Sequence, residues 1–171
     1  MPPEARADRD QPSLIISRHA NFPHFPGHYS LIQIDIIIPV YRGVVETRAC
    51  IESVLASKNT HPVEIVIVDD ASPEPAIAEY LTSLADAGRI TLLHNESNRG
   101  FVASVNSGMS LHGDRDVILL NSDTEVADGW IDRLAALAST RKDAASISPF
   151  SNNATLCSYP RIDCADRKSV V

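Results

Sequence analysis

The sequence predicts an α/β domain built on an open, mostly parallel sheet with flanking helices, and three observations predict it. Apolar runs rich in Ile and Val alternate with segments of helical periodicity along residues 34–148. The run Ile34–Val40 is almost continuously branched and apolar, the mark of a strand buried on both faces, as in a central parallel strand. Three strand ends carry polar signals, at Tyr41, at Asp69-Asp70 and at Asn121-Ser122-Asp123. In open parallel sheets the carboxyl ends of the strands border the crevice where ligands bind.

Each element has its own justification. Residues 1–32 hold five of the eleven prolines and three of the six histidines without sustained periodicity, and read as a mobile or loosely packed leader. Order is expected from about Ile34, with a strand to Val40 and then a helix over 44–56 that places Ile51, Val54 and Leu55 on one face. Val63–Asp69 is the second strand, stopped by Asp70, Ser72, Pro73 and Pro75. Ile77, Tyr80, Leu81, Leu84 and Ala85 form the clearest amphipathic helical pattern, ended by Gly88. A short strand at 90–94, a helix at 101–111 and a strand at 117–120 follow. Asp128 is placed to cap a helix through Trp130, Ile131, Leu134, Leu137 and Ala138, and residues 144–148 suggest a fifth strand.

Composition narrows the function. A net charge of −7 opposes non-specific nucleic-acid binding, and no basic patch offsets it. The first residues show no secretory pattern, and no apolar run approaches the roughly 18–20 residues that cross a bilayer. Cys50, Cys157 and Cys164 lack the paired spacing of a zinc site and fit a reducing compartment, so a cytoplasmic location is expected.

The strand-end groups suggest a chemistry together. A diphosphate needs a divalent cation to offset its charge, and magnesium or manganese takes few protein carboxylates because phosphate oxygens and waters fill the other positions. Asp123, helped by Asn121 or Glu125, meets that need. Asp69 and Asp70 end a different strand, where a carboxylate can accept from a nucleobase imide or from ribose hydroxyls. Tyr41 offers a ring for base stacking. The three describe a nucleoside-diphosphate site.

The same residues sit in motifs that resemble family 2 glycosyltransferases of the GT-A fold. They are Ile36-Ile37-Ile38-Pro39-Val40-Tyr41, Val68-Asp69-Asp70-Ala71-Ser72, Asn98-Arg99-Gly100-Phe101 with Asn106 and Gly108, and Leu119-Leu120-Asn121-Ser122-Asp123-Thr124-Glu125-Val126. Asp128-Gly129-Trp130 and residues 148–155 are similar to bacterial members that build surface polysaccharide. The resemblance implies that Pro39, Val40 and Tyr41 line the nucleotide pocket, that Asp70 binds the base with Asp69 positioning it, and that Asn98 and Arg99 approach the nucleotide from a loop. It also implies that Asp123, matching the last carboxylate of the family's Asp-x-Asp motif, holds Mg2+ or Mn2+ against the donor's phosphates. The first position of that motif is Asn121 here, whose amide oxygen can reach ribose or a metal-bound water.

The reaction so implied is inverting transfer from a nucleotide-diphosphate sugar, carried by uridine or thymidine diphosphate, to a saccharide or lipid-linked acceptor. The general base of such a reaction is implied to lie beyond the metal motif, where Asp163 and Asp166 qualify by residue type alone, so no catalytic residue is assigned. The expected organisation is a leader over 1–32, a glycosyltransferase-like nucleotide-sugar-binding domain over 33–160 and a tail over 161–171, apparently the truncated donor-binding half of a longer domain. Peripheral membrane or partner-subunit association, including a place at the inner face of the membrane, is left open. Two other readings stand beside this one: a catalytically inactive nucleotide-sugar-binding fragment or subunit, and a phospho-receiver-like signalling domain suggested by Val68-Asp69-Asp70. A receiver would begin at the acidic strand, whereas here a buried strand and a helix precede it.

Overall fold

The computed structural model describes residues 14–17, 33–140 and 145–149. In chain order the elements are β1 (Leu14–Ser17), β2 (Ile34–Val40), α1 (Val44–Ala56), β3 (Val63–Asp69), α2 (Pro75–Asp86), β4 (Thr91–His94), α3 (Phe101–Met109), β5 (Asp116–Leu120), α4 (Trp130–Thr140) and β6 (Ser146–Ile147). They form one six-stranded sheet in the order β4-β3-β2-β5-β1-β6. β4, β3, β2 and β5 run parallel, and β1 lies antiparallel between β5 and β6. From β2 the chain first builds outward through β3 to β4, then returns to place β5 on the other flank of β2. The topological switch point therefore lies between β2 and β5, where ligands of open α/β sheets bind at the carboxyl ends of the strands.

The parallel register sets same-parity residues side by side, Ile36 with Ile65 and Ile118, and Ile37 with Val66 and Leu119. This separates two cores. On one face Ile36, Ile38, Ile67 and Leu120 pack with Ile51 and Val54 of α1, Ile77 and Leu81 of α2, and Trp130, Ile131 and Leu134 of α4. On the other, Ile37, Val66, Val68 and Val117 are all fully buried, with Met109 of α3 packed against them. Near-continuous branched residues on β2 and β3 follow from this covering of both faces.

α3 approaches β2 closely because of Gly108. A Cβ there would stand 2.7 Å from Ile37 Cγ2. Below α3 the same face is closed by charge. Asp35, 1% exposed, takes Arg115 Nη1 at 2.8 Å and His112 Nδ1 at 2.8 Å, while Arg115 also pairs with Glu64. The Thr91 hydroxyl donates to Glu64 at 2.6 Å and, with Arg115, holds the Glu64 carboxyl below its ordinary range. A buried carboxylate is tolerated only when paired and hydrogen-bonded in this way.

Three expectations change. Leu14–Ser17, placed in the leader, is a strand; this four-residue segment gains strand character from pairing with Val117–Leu120, a long-range contact with no local periodicity to announce it. The fifth strand expected over 144–148 is limited to Ser146–Ile147 among the described residues. Asp128 does not cap α4: its Oδ1 accepts Lys58 N at 2.9 Å, and Gly129, at φ +70°, supplies the carbonyl of the first helical bond to Arg133 N. Expectations for the rest of 1–32 and for 161–171 lie outside the described residues. No helix among the described residues is long and apolar enough to cross a membrane.

Gly108→Ala is expected to lower the urea midpoint with an unchanged m-value, corresponding to about 1–3 kcal/mol of lost stability from overpacking, despite alanine's better helix propensity. An unchanged or raised midpoint would mean that α3 sits farther from β2 than Gly108 and Ile37 indicate.

Candidate functional site

The crevice at the switch point has two sides. On the first, β2 ends in Pro39, half-buried, and Val40, buried, and delivers Tyr41 to the surface, 37% exposed. The Arg42 guanidinium carbon lies 5.1 Å from the Tyr41 ring centroid, a cation–π contact. The turn is fixed by Gly43 N, which donates to Glu74 Oε1 at 2.9 Å. Beside it, Asp70 N donates to Val40 O at 2.8 Å, so the ends of β2 and β3 are tied.

Asp70 is 4% exposed and faces α3, because β3 alternates and Val66, Val68 and Asp70 share a parity. Its Oδ1 accepts Arg99 N at 2.8 Å and Asn95 Nδ2 at 2.7 Å, and its Oδ2 accepts Gly100 N at 2.8 Å. Burial pushes its pKa up, but these bonds and the Ser104 hydroxyl outweigh burial and hold it below the ordinary value. Gly100 adopts φ +81° at the N-cap of α3, a backbone that suits glycine. Asp69, equally buried, accepts Ser72 N at 2.9 Å on Oδ1 and pairs with His94 Nδ1 at 3.0 Å on Oδ2. That turn carries Ala71 at φ +54°.

The second side is the loop after β5. Asn121 is half-buried, and Asp123 and Glu125 are exposed. Thr124 N closes a turn on Asn121 O at 3.1 Å, which presents Asp123 near its tip. From below, α1 reaches both ends of the loop: the Cys50 thiol donates to Asn121 O at 3.4 Å, and Val126 N donates to Ser53 Oγ at 3.0 Å. Burial pushes the Cys50 thiol up to about 12; a backbone contact with Thr124 opposes this, and Asp123 and Glu125 reinforce it. The thiol therefore keeps its proton and remains a donor. The Asp123 carboxylate makes no hydrogen bond or ion pair among the described residues, and an exposed, uncommitted carboxylate on a backbone-fixed loop fits a hard divalent cation.

The structure thus gathers Pro39, Val40, Tyr41, Asp69, Asp70, Asn98 and Arg99 at adjoining strand ends, with Asn121 and Asp123 across β2. Asp70, the residue expected to meet the base, has both oxygens bonded to the protein's own chain and anchors the segment that carries Asn98 and Arg99. Asn98 Oδ1 also accepts Gly100 N, at 3.1 Å, and the Arg99 side chain is exposed. Asn95, Ser104, Cys50 and Ser53 were not singled out for these roles, because each acts through a long-range hydrogen bond without a motif of its own. Asp35, Glu64 and His112 also bring ligand atoms within 4.8 Å of one another. That group lies at the amino ends of the strands, and Arg115 pairs with both of its carboxylates, so it reads as an ion-pair network.

Against known proteins, a sequence model described as glycosyl transferase family 2 matches residues 35–165. The chain belongs to this family. The glycosyltransferase GlyG of Streptococcus pneumoniae serotype 4 is 26% identical over 102 residues, 59% of this chain and 33% of GlyG. Among solved structures, S. aureus TarS residues 1–349 in complex with UDP superimposes with a TM-score of 0.55 at 17% identity, over 65% of this chain and 33% of that one. GalNAc-T7 with UDP, GalNAc and Mn2+ gives 0.56 at 23% identity, over 66% of this chain and 22% of that one. The fold is GT-A, and this family 2 chain spans a third or less of the length of these relatives. Family membership removes the phospho-receiver reading.

Asp70→Asn is expected to cost about 2–4 kcal/mol at neutral pH, because an amide cannot accept from every donor and leaves a buried N–H unpaired. With its folded pKa lowered, Asp70 contributes stability that is present above the unfolded value of about 4 and lost as pH falls through the folded one. Denaturant melts of both proteins should therefore converge as the pH is lowered, whereas a pH-independent gap would contradict the bonding described.

Proposed function

We propose that this family 2 chain binds a nucleotide-diphosphate sugar and contributes the donor side of an inverting, metal-dependent glycosyl transfer. The observation that carries the reading is the exposed Asp123 carboxylate, on a loop held by its backbone after β5, the strand beside β2, whose own end carries Tyr41. Pro39, Val40 and Tyr41 line the base side, with the Tyr41 ring available for stacking. Asn98 and Arg99 approach the nucleotide on the segment that Asp70 anchors and Asp69 flanks, Arg99 supplying positive charge. Asn121 offers its amide oxygen to ribose or to a metal-bound water. Asp123 holds Mg2+ or Mn2+, which when bound neutralises charge on the departing diphosphate.

In this reading an acceptor hydroxyl of a saccharide or lipid-linked molecule attacks the anomeric carbon as the bond to the diphosphate breaks, inverting the centre. A general base takes the hydroxyl proton, and no described residue is assigned that part. The carrier is uridine or thymidine diphosphate; solved proteins of the same fold hold UDP, one of them with Mn2+. Because the chain spans a third or less of its relatives, binding of the donor without turnover is the alternative. Turnover assays with nucleotide sugars separate the two.

Calorimetric titration with uridine and thymidine diphosphates, with and without Mn2+, tests the site. At least one is expected to bind more tightly with Mn2+, by tenfold or more, on the order of 1.4 kcal/mol, and Asp123→Ala should remove that gain while leaving metal-free affinity unchanged. Manganese enhancement that survives Asp123→Ala would refute the assignment.

A further inference from the structure

We infer that Ser53, together with Cys50, is a positioning residue for the Asp123 carboxylate, so that α1 sets the spacing between the base side and the diphosphate side of the site. The inference rests on the proposed metal-binding role of Asp123. Asp123 has no side-chain tether among the described residues, so its place is dictated by the backbone of the loop Asn121–Val126. That loop is held at both ends by one face of one helix, by the Cys50 thiol at Asn121 O, 3.4 Å, and by Ser53 Oγ at Val126 N, 3.0 Å.

Ser53 is well suited to accept. Its hydroxyl proton is donated to Cys50 O at 2.7 Å, which turns an oxygen lone pair toward the Val126 amide. Thr124 N on Asn121 O then fixes the turn in between. The same helix begins directly after Tyr41-Arg42-Gly43, and Glu74 pins its N-cap through Gly43 N. One rigid element therefore leads from the residue proposed to stack on the base to the residues that hold the metal loop. Displacing the loop by even a fraction of an ångström would spoil the simultaneous grip on base and cation.

The predicted signature is a split between the two parts of the ligand. Titrations of uridine and thymidine, and of their diphosphates, with and without Mn2+ should show nucleoside affinity unchanged in Ser53→Ala. The manganese-dependent gain for the diphosphate should fall about fivefold, the equivalent of one ordinary hydrogen bond. Ser53→Thr, which keeps the hydroxyl, should retain the gain. If Ser53→Ala fails to fold, Cys50→Ala loosens the other end of the loop and should lower the same gain. Asp123→Ala measured alongside keeps the two ideas apart. Loss of the gain in Asp123→Ala but not in the folded Ser53 or Cys50 variants overturns the positioning role alone. Retention of the gain in Asp123→Ala overturns the metal assignment and this inference with it.

Discussion

Burying the Asp70 carboxylate beneath the carboxyl end of β3 obliges the segment after β4 to fold over it, since a desolvated anion must be met by donors or be protonated. Arg99 N, Gly100 N and Asn95 Nδ2 supply those donors. Two of them are main-chain groups at the start of α3, where the helix already favours negative charge. One side chain thus joins β3, the Asn95–Gly100 segment and α3, and the crevice acquires a wall that carries the exposed residues Asn98 and Arg99. The anionic character of the strand end is spent on architecture, while the exposed carboxylates of the site are Asp123 and Glu125 on the far side of β2.

The two ends of the sheet use acidic residues oppositely. At the amino ends Arg115 bridges Asp35 and Glu64, while His112 pairs with Asp35 and the Thr91 hydroxyl donates to Glu64, which seals the face below α3. Among the described residues the Asp123 carboxylate, after the carboxyl end of β5, has no such partner, and Cys50 and Ser53 hold its loop through main-chain groups. A carboxylate fixed without using its own oxygens is what a cation with several oxygen ligands requires. The contrast separates a structural ion-pair network from the proposed ligand site more clearly than the count of acidic residues at either end.

Much of this was legible in the sequence, for identifiable reasons. β2, α1 and β3 begin and end where the branched runs, the helical face of Ile51, Val54 and Leu55 and the Asp70–Pro75 stop signals place them. The direction of Asp70 was legible in principle, since period two puts it on the face of Val66 and Val68, but that face could be assigned to α3 only once the sheet order was known. β1 was hidden because its strand character depends on pairing with β5, a hundred residues away. Cys50 is buried, and its bond to Asn121 O belongs to the tertiary fold, where no local pattern announces it. Asp128 looked like a cap because caps are local, and its partner Lys58 is not.

The most direct test of which end of the sheet is the ligand site is paramagnetic relaxation in an amide-resolved NMR spectrum, with Mn2+ added to the chain in the presence of uridine or thymidine diphosphate. Broadening centred on Asn121–Glu125 and extending to Tyr41 is the predicted result. Broadening centred on Asp35, Glu64 and His112, with the β5 loop unaffected, would contradict the account.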